Sequence, residues 1–207
     1  MISQRRMKEV RDLSLEELAE RIRACTDCRL SQGRNRAVPG EGKDGSILFI
    51  GEAPGWHEDQ MGRPFVGPAG KFLEELLGSI GFKREEVFIT NMVKCRPPDN
   101  RDPLPDEIEA CRKYLDRQIE LLRSRAIVSL GRHSLARFFS GKTISQVHGS
   151  WRKEDSTIYF AMYHPAAALH QGNLRKTIQE DILKLPQAIR EAEKAEGEKP
   201  ARQLSFF

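Results

Sequence analysis

Between Gly51 and Gly70 the chain reads GEAPGWHEDQMGRPFVGPAG, in which eight of twenty residues are glycine or proline. Proline removes backbone donors and glycine costs ordering entropy, so this density predicts a long shaped loop without helix or regular strand. Long loops inside compact domains tend to be functional. The run before it, Ser46–Ile50 (SILFI), is short and apolar and reads as a buried strand that ends in the loop.

The rest of the chain alternates in the same way. Leu15–Ala24 repeats apolar residues at helical spacing, with Ser14 as N-cap and Glu17 placed for a capping box. A helix is expected from Pro68 or Ala69 to Ser79, with Gly81 past its end, then a strand at Glu86–Thr90. Cys95–Pro105 is a second proline-rich loop, and Asp106–Arg123 an amphipathic helix. Ala126–Leu130 reads as a strand, followed by Gly131 and a helix to about Phe139. Val147–Lys153 and Thr157–Met162 read as a strand pair, and Asn173–Lys194 as the last helix. Alternation of this kind implies an α/β fold, a three-layer α/β/α sandwich with a short, mostly parallel central sheet. In such sheets function gathers beyond the C-terminal strand ends. The loops after Gly51 and Asn91, and the segment YHPAAALHQGN, belong there.

One domain, residues 1–195, is expected, with residues 196–207 as a flexible polar tail. No apolar run approaches the ~18–20 residues of a membrane helix, and the N-terminus lacks the apolar core of a secretory signal. A prokaryotic cytoplasm is the expected address. The net charge of +4 favours a polyanionic partner without proving one.

The four cysteines, Cys25, Cys28, Cys95 and Cys111, follow the spacing C-x2-C, sixty-six residues, C-x15-C. Scattered cysteines are ordinarily buried free thiols, but Cys25 and Cys28 sit in the polar, basic segment RACTDCRLSQGRN. Disulfides are not expected in a reducing compartment. Four thiolates suit zinc or a cubane cluster. The wide second spacing favours the cluster, which accepts ligands from scattered elements.

Read in order, the loops are GEAPG (51–55), GRPFVGPAGKFL (62–73), ITNMVKCRPPDNRDP (89–103) and YHPAAAL (163–169). With the cysteines, they resemble the family 4 uracil-DNA glycosylases, iron–sulfur enzymes of bacteria and archaea, from about Cys25 to Leu185. The resemblance implies that Gly51, Glu52 and Ala53 line a uracil site, largely through their backbone. It implies that Phe65 stacks on the base, Asn91 reads its edge and His164 lies against O2. Cys25, Cys28, Cys95 and Cys111 would hold a [4Fe–4S] cluster. The substrate implied is uracil in single- and double-stranded DNA, acted on by a monomer.

These residue types suit that chemistry. A base flipped from the stack needs a flat partner, which a Phe supplies at ~1–3 kcal/mol. An Asn amide offers an acceptor and a donor side by side to uracil, and also to cytosine unless a neighbour fixes its orientation. Cleavage leaves negative charge on the base, and a His can stabilise it as a neutral donor.

The usual water-positioning carboxylate is missing, because Ala53 stands where the best-known uracil glycosylases carry an Asp. Glu52, Glu58 and Asp59 are the candidates, Glu52 first. Trp56 and His57 stand where acidic residues are expected, and no basic insertion with a reactive His precedes Cys111. Hydrolytic turnover is therefore expected rather than covalent trapping. Lys94, Arg96, Arg101 and Arg175 are expected at phosphates, and Leu169 as a wedge in the vacated stack.

Two other classes compete: an inactive DNA-binding, damage-sensing module, for which Ala53 argues, and a redox carrier, which gives the pocket loops no purpose. The final QLSFF resembles sliding-clamp-binding peptides. Gln203, Leu204, Phe206 and Phe207 are expected to bind a replication clamp.

Overall fold

The computed structural model describes residues 9–43 and 47–197. The first helix, α1 (Leu15–Arg23), starts at the expected capping box. The Glu17 N–H donates to Ser14 Oγ at 3.3 Å, and the Ser14 N–H donates to Glu17 Oε2 at 2.8 Å. A short turn, α2 (Leu30–Gly33), follows the Cys25–Cys28 segment.

Six strands form one sheet: β1 (Glu41–Gly42), β2 (Ile47–Gly51), β3 (Phe88–Asn91), β4 (Ala126–Leu130), β5 (Trp151–Glu154) and β6 (Thr157–Met162). Their order is β1-β3-β2-β4-β6-β5. The central four are parallel, while β1 and β5 pair antiparallel at the edges. The direction of winding reverses at β2, which lies between β3 and β4. The crevice beyond Gly51 and Asn91 is therefore the topological switch point.

Helices cover both faces. Ile47 and Phe49 point to one side of β2, onto Phe72, Leu73 and Leu76 of α4 (Pro68–Ser79) and onto the C-terminal helices. Leu48 and Ile50 point to the other side, toward Leu115 and Leu122 of α5 (Pro105–Leu122). This alternation on a strand buried along its length makes the sandwich. A third apolar cluster joins Leu18 and Ile22 of α1 to Val93, Tyr114 and the cysteines. The fold is the expected α/β architecture. Among the described residues, no helix is long and apolar enough to cross a membrane.

Three local expectations are corrected. The Gly/Pro-rich stretch does hold a helix, α3 (Trp56–Met61). WHEDQM contains neither breaker, the Gly55 N–H donates to Glu58 Oε2 at 3.1 Å, and Gly62 closes the helix in the left-handed conformation at φ 72°. After α6 (Arg132–Phe138), the region expected to begin a strand at Val147 is a turn of helix, α7 (Ile144–Val147), and β5 starts at Trp151. The last helix is broken. Beyond the short α8 (Ala167–His170), α9 (Gly172–Ile182) ends before Leu183, and α10 (Leu185–Gly197) restarts with Pro186 in its first turn, where a missing N–H costs nothing. Gln203, Leu204, Phe206 and Phe207 lie outside the described residues, as does Ser46.

Candidate functional site

Four strand ends meet at the switch point. Beyond β2 and β3 the backbones stay paired, the Met92 N–H donating to the Gly51 carbonyl at 3.0 Å and the Val93 N–H to the Glu52 carbonyl at 3.1 Å. This fixes Gly51 and Glu52 against Asn91. Asn91 is 1% exposed, and its Oδ1 is buried without a hydrogen-bond partner. A buried unmet acceptor costs about 1–3 kcal/mol, a cost that a ligand donor would relieve. A Cβ on Gly51 would collide with that Oδ1 and lie 2.8 Å from Phe65 Cζ. Only glycine fits against both groups.

Phe65 faces the same space. It adopts φ 50°, uncommon for a residue with a side chain, and its ring lies nearly parallel to His164 at 5.4 Å between centroids. Two ionic residues hold this loop. Arg84 Nη1 donates to the Phe65 carbonyl at 2.8 Å, and Arg84 also bonds the Pro64 carbonyl and pairs with Glu41. On the other side, Glu58 Oε1 accepts the Val66 and Gly67 N–H groups, both at 2.9 Å. Gly70 permits the close packing, because a Cβ there would collide with the Phe65 carbonyl. Neither clamp was expected from the sequence. Glu58 carried a signal, since it stands three residues after Gly55 at capping-box spacing. Arg84 carried none.

His164 follows β6. Its Nδ1 accepts the Ala166 N–H at 3.1 Å, which leaves the proton on Nε2, and burial pushes its pKa down to about 4. It is thus a neutral imidazole with one N–H to offer. Gly131, at φ 87°, makes the turn after β4, and a Cβ there would come within 3.0 Å of His164 Cβ.

Glu52, Ala53, Arg101, Asp102, Arg132 and His164 line a cleft of about 600 Å³. Glu52 Oε2 lies 3.6 Å from His133 Nε2, which is also 3.5 Å from Asp102 and accepts from Arg132 Nε at 3.0 Å. Burial raises the Glu52 pKa, with Asp102 adding to the effect and His133 opposing it. Ala53 offers only a methyl group and leans on the cysteine-side cluster. The two other carboxylates considered for water positioning are occupied. Glu58 holds the Phe65 loop, and Asp59 is 1% exposed and accepts Asn35 Nδ2 at 2.6 Å.

On the far side of β3, Cys25, Cys28, Cys95 and Cys111 line one cavity with Tyr114 and Ala110. No three of their Sγ atoms lie within 4.8 Å of one another among the described residues. Donors already face them. Arg34 Nη1 reaches Cys95 Sγ at 2.9 Å, and the Lys94 N–H reaches Cys111 Sγ at 3.3 Å. Without a bound ion, burial pushes Cys111 up to about 12 and raises Cys28 and Cys95. Four thiols around one cavity, two of them already receiving N–H groups, make a donor set that a thiolate-bound group would fit.

The expected phosphate contacts divide. Lys94 is corrected: it is 1% exposed and bonded wholly inside the protein, so it does not reach a backbone phosphate. Its chain runs inward because position 94 lies between Asn91 and Cys95, in a segment buried throughout. Arg101 borders the cleft but makes a two-pronged pair with Glu107, and Arg96 bonds Asn100. Arg175 lies 4.2 Å over the Phe72 ring and pairs with Glu75. Leu169 on α8 is 46% exposed.

Residues 39–185 match the family model of the uracil DNA glycosylase superfamily, and the chain belongs to that superfamily. Its relatives narrow the placement. It is 51% identical over 183 residues to the type-4 uracil-DNA glycosylase of Sulfurisphaera tokodaii, covering 83% of each chain. To the type-4 uracil-DNA glycosylase of Saccharolobus solfataricus it is 47% identical, over 85% of this chain and 87% of that one. The corresponding protein of Thermotoga maritima is 43% identical over 87% of this chain and 97% of its own length. The chain falls in this type-4 group.

Proposed function

We propose that this chain excises uracil from DNA, from single strands and from U·G pairs, hydrolysing the N-glycosidic bond and leaving an abasic site. The observation that carries the reading is the buried, unpartnered Asn91 Oδ1, set against Gly51 beside the Phe65 ring, which stacks on His164. An acceptor at that point suits the N3–H of uracil, which cytosine lacks.

The chemistry follows from the pocket. The bond between C1′ and N1 breaks and its electron pair stays on uracil. The His164 Nε2–H then donates to the developing charge on O2 without itself being charged, a contribution of about 2.7–4 kcal/mol for one such donor. Water adds to the sugar cation at C1′, and the proton it loses passes to the uracil anion, so that an abasic sugar and neutral uracil are the products. Glu52, at the cleft, is the carboxylate left free to orient that water, since Glu58 and Asp59 serve the fold. Gly51 and Ala53 contribute backbone to the uracil site. Arg96, Arg101 and Arg175 contact phosphates by exchanging their present partners, and Leu169 enters the vacated stack.

The four thiols hold a [4Fe–4S] cluster. When bound, it ties α1 to α5 and to the loop after β3, a structural service. The tail residues Gln203, Leu204, Phe206 and Phe207 recruit the protein, a cytoplasmic monomer, to a replication clamp. Deleting residues 203–207 should abolish clamp binding and leave turnover on short oligonucleotides unchanged.

The deciding experiment incubates the purified protein with uracil-containing single strands in the presence of a chelator, then counts alkali-labile sites. Excision without added metal is expected. Tight binding with no abasic sites would instead favour the inactive sensor for which Ala53 argues.

A further inference from the structure

Arg132 and His133 open α6, where Arg132 lines the cleft and His133 lies against Glu52. Three groups converge on one ring nitrogen. Arg132 Nε donates to His133 Nε2 at 3.0 Å, while Glu52 Oε2 and Asp102 Oδ2 approach the same atom to 3.6 and 3.5 Å. A guanidinium only donates, so Nε2 is bare and the ring carries its proton on Nδ1. Two carboxylates and a nitrogen lone pair, all within 4.8 Å of one another, are thus held together by the charge of Arg132, which also pairs with Asp102. Arg132 is the movable member. Its side chain is 67% exposed, against 22% for His133 and 27% for Glu52. Asp102 is anchored at its carbonyl, which accepts from Arg101 Nη1 at 2.8 Å, and Arg101 is itself held by Glu107.

We propose that Arg132 is a latch released by DNA and His133 the positioning residue for Glu52. A backbone phosphate draws Arg132 away, and Nε2 then takes a proton from solvent and donates it in a hydrogen bond to the Glu52 carboxylate. This rests on Glu52 orienting the attacking water, as in the function proposed above. The exchange keeps the charge of the cluster: a guanidinium leaves and an imidazolium replaces it, so the two carboxylates are never left to face each other alone. The groups that face the ring are Glu52 from the loop after β2, Asp102 from the loop before α5 and Arg132 beside it. With the proton on His133, Glu52 stays ionised, the form that accepts a hydrogen bond from water. Burial alone favours its protonated form, and His133 opposes that. One carboxylate oxygen is held by Nε2 and the other is left for water. Glu52 is therefore set for hydrolysis only once DNA is in place.

The test uses the full chain. Uracil excision by the wild type is measured first; a wild type that excises nothing sinks the proposed function and this inference together. With excision present, the remaining results bear on the inference alone. The binding probe is a single strand carrying 2′-fluoro-deoxyuridine, whose fluorine disfavours the sugar cation and so slows cleavage. Nitrogen-15 NMR at one pH should show His133 Nε2 bare in the free protein and both ring nitrogens protonated in the complex. His133→Ala should lower kcat by about 10–100-fold, the range for losing a hydrogen bond to a charged group, with KM little moved. His133→Gln, whose amide donates without titrating, should restore most of kcat and remove the proton uptake on binding. Arg132→Ala should raise KM several-fold, reduce the salt slope of DNA binding by about one, and leave Nε2 protonated without DNA. Should His133→Ala fail to fold, the Gln variant and the wild-type NMR decide. A merely structural His133 predicts lower thermal stability with kcat of the folded protein unmoved. A ring unchanged by DNA, or a His133→Ala protein with wild-type kcat, overturns the inference. So does turnover that a chelator abolishes and magnesium restores, which would set a metal ion among the three groups.

Discussion

The pocket at Gly51 and the cavity at the cysteines lie on opposite sides of one strand end, yet they are finished differently. The pocket keeps an unmet acceptor at Asn91, an N–H to offer on His164 and a half-buried carboxylate at Glu52. Around the thiols, polar groups are already directed inward, from Arg34 and from the Lys94 amide. One hollow leaves polar groups unmet, and in the other they are already directed at sulfur. The residues that shape the pocket are also held by something outside it. Phe65 sits on a loop clamped by Arg84 and Glu58, so the strain of its positive φ, about 1–3 kcal/mol, is supported by ionic hydrogen bonds as well as by its own packing in the core.

The sharpest way to break this contrast is a pair of substitutions. His164→Ala should cut turnover by about 10²–10³, with the melting temperature nearly unchanged. If the thiols hold the proposed cluster, Cys111→Ser should do the reverse, with loss of iron and of thermal stability, and activity falling only as the folded fraction falls. If His164→Ala unfolds the protein, or Cys111→Ser leaves stability intact, the division of labour is wrong. Gly51→Ala comes next. Its methyl would meet Asn91 Oδ1 and the Phe65 ring, so uracil affinity should drop by about tenfold, in the 1–3 kcal/mol range of overpacking. Unchanged affinity in calorimetry would show that the space beside Gly51 is not where the base sits.

A smaller effect is expected from the clamp. Glu58→Gln removes the charge that accepts three backbone N–H groups, at Gly55, Val66 and Gly67. About 1–3 kcal/mol of stability should go in denaturant titration, and KM should rise a few-fold with kcat less affected. A drop in kcat of a hundredfold with KM unchanged would instead make Glu58 part of the chemistry.

The sequence carried some of this plainly. The strand at Ala126–Leu130 and the capping box at Ser14 were legible because apolar runs and caps are local signals. So was the convergence of Gly51, Asn91 and His164, because a parallel sheet sends the C-terminal strand ends to one crevice. The helix at Trp56–Met61 was missed because breaker density was averaged over twenty residues, although the six between Gly55 and Gly62 contain none. Lys94 was misread for a related reason. Beside Arg96 and Arg101 it looks like one more cation for phosphate, and only the packing of α5 against β3 shows that Gln118 and Thr90 receive it inside. Arg84 was invisible because a clamp from a distant turn leaves no pattern in spacing.

The smallest expected effect is an absence of change, and it tests the pocket's electrostatics most directly. An exposed imidazole titrates near 6.5, and a catalyst that needed its neutral form would lose activity as the pH dropped below that value. His164 should not. Its Nδ1 is engaged as an acceptor by the Ala166 N–H, and burial holds its pKa down to about 4, so its charge stays constant from pH 8 to about pH 5.5. The consequence for stability has a definite sign. The unfolded chain takes up a proton at this residue near pH 6.5 while the folded chain resists until about pH 4. His164 therefore favours unfolding progressively as pH falls through that window and has no such effect above it. Two measurements follow. Nitrogen-15 NMR of the imidazole should show Nε2 protonated and Nδ1 bare throughout pH 8 to 5.5, and the single-turnover rate should show no limb near 6.5 that belongs to this ring. A resonance of His164 that titrates near 6.5 would mean that the ring reaches solvent and works as a cation, and the pocket would then stabilise the leaving uracil by charge rather than by a placed hydrogen bond.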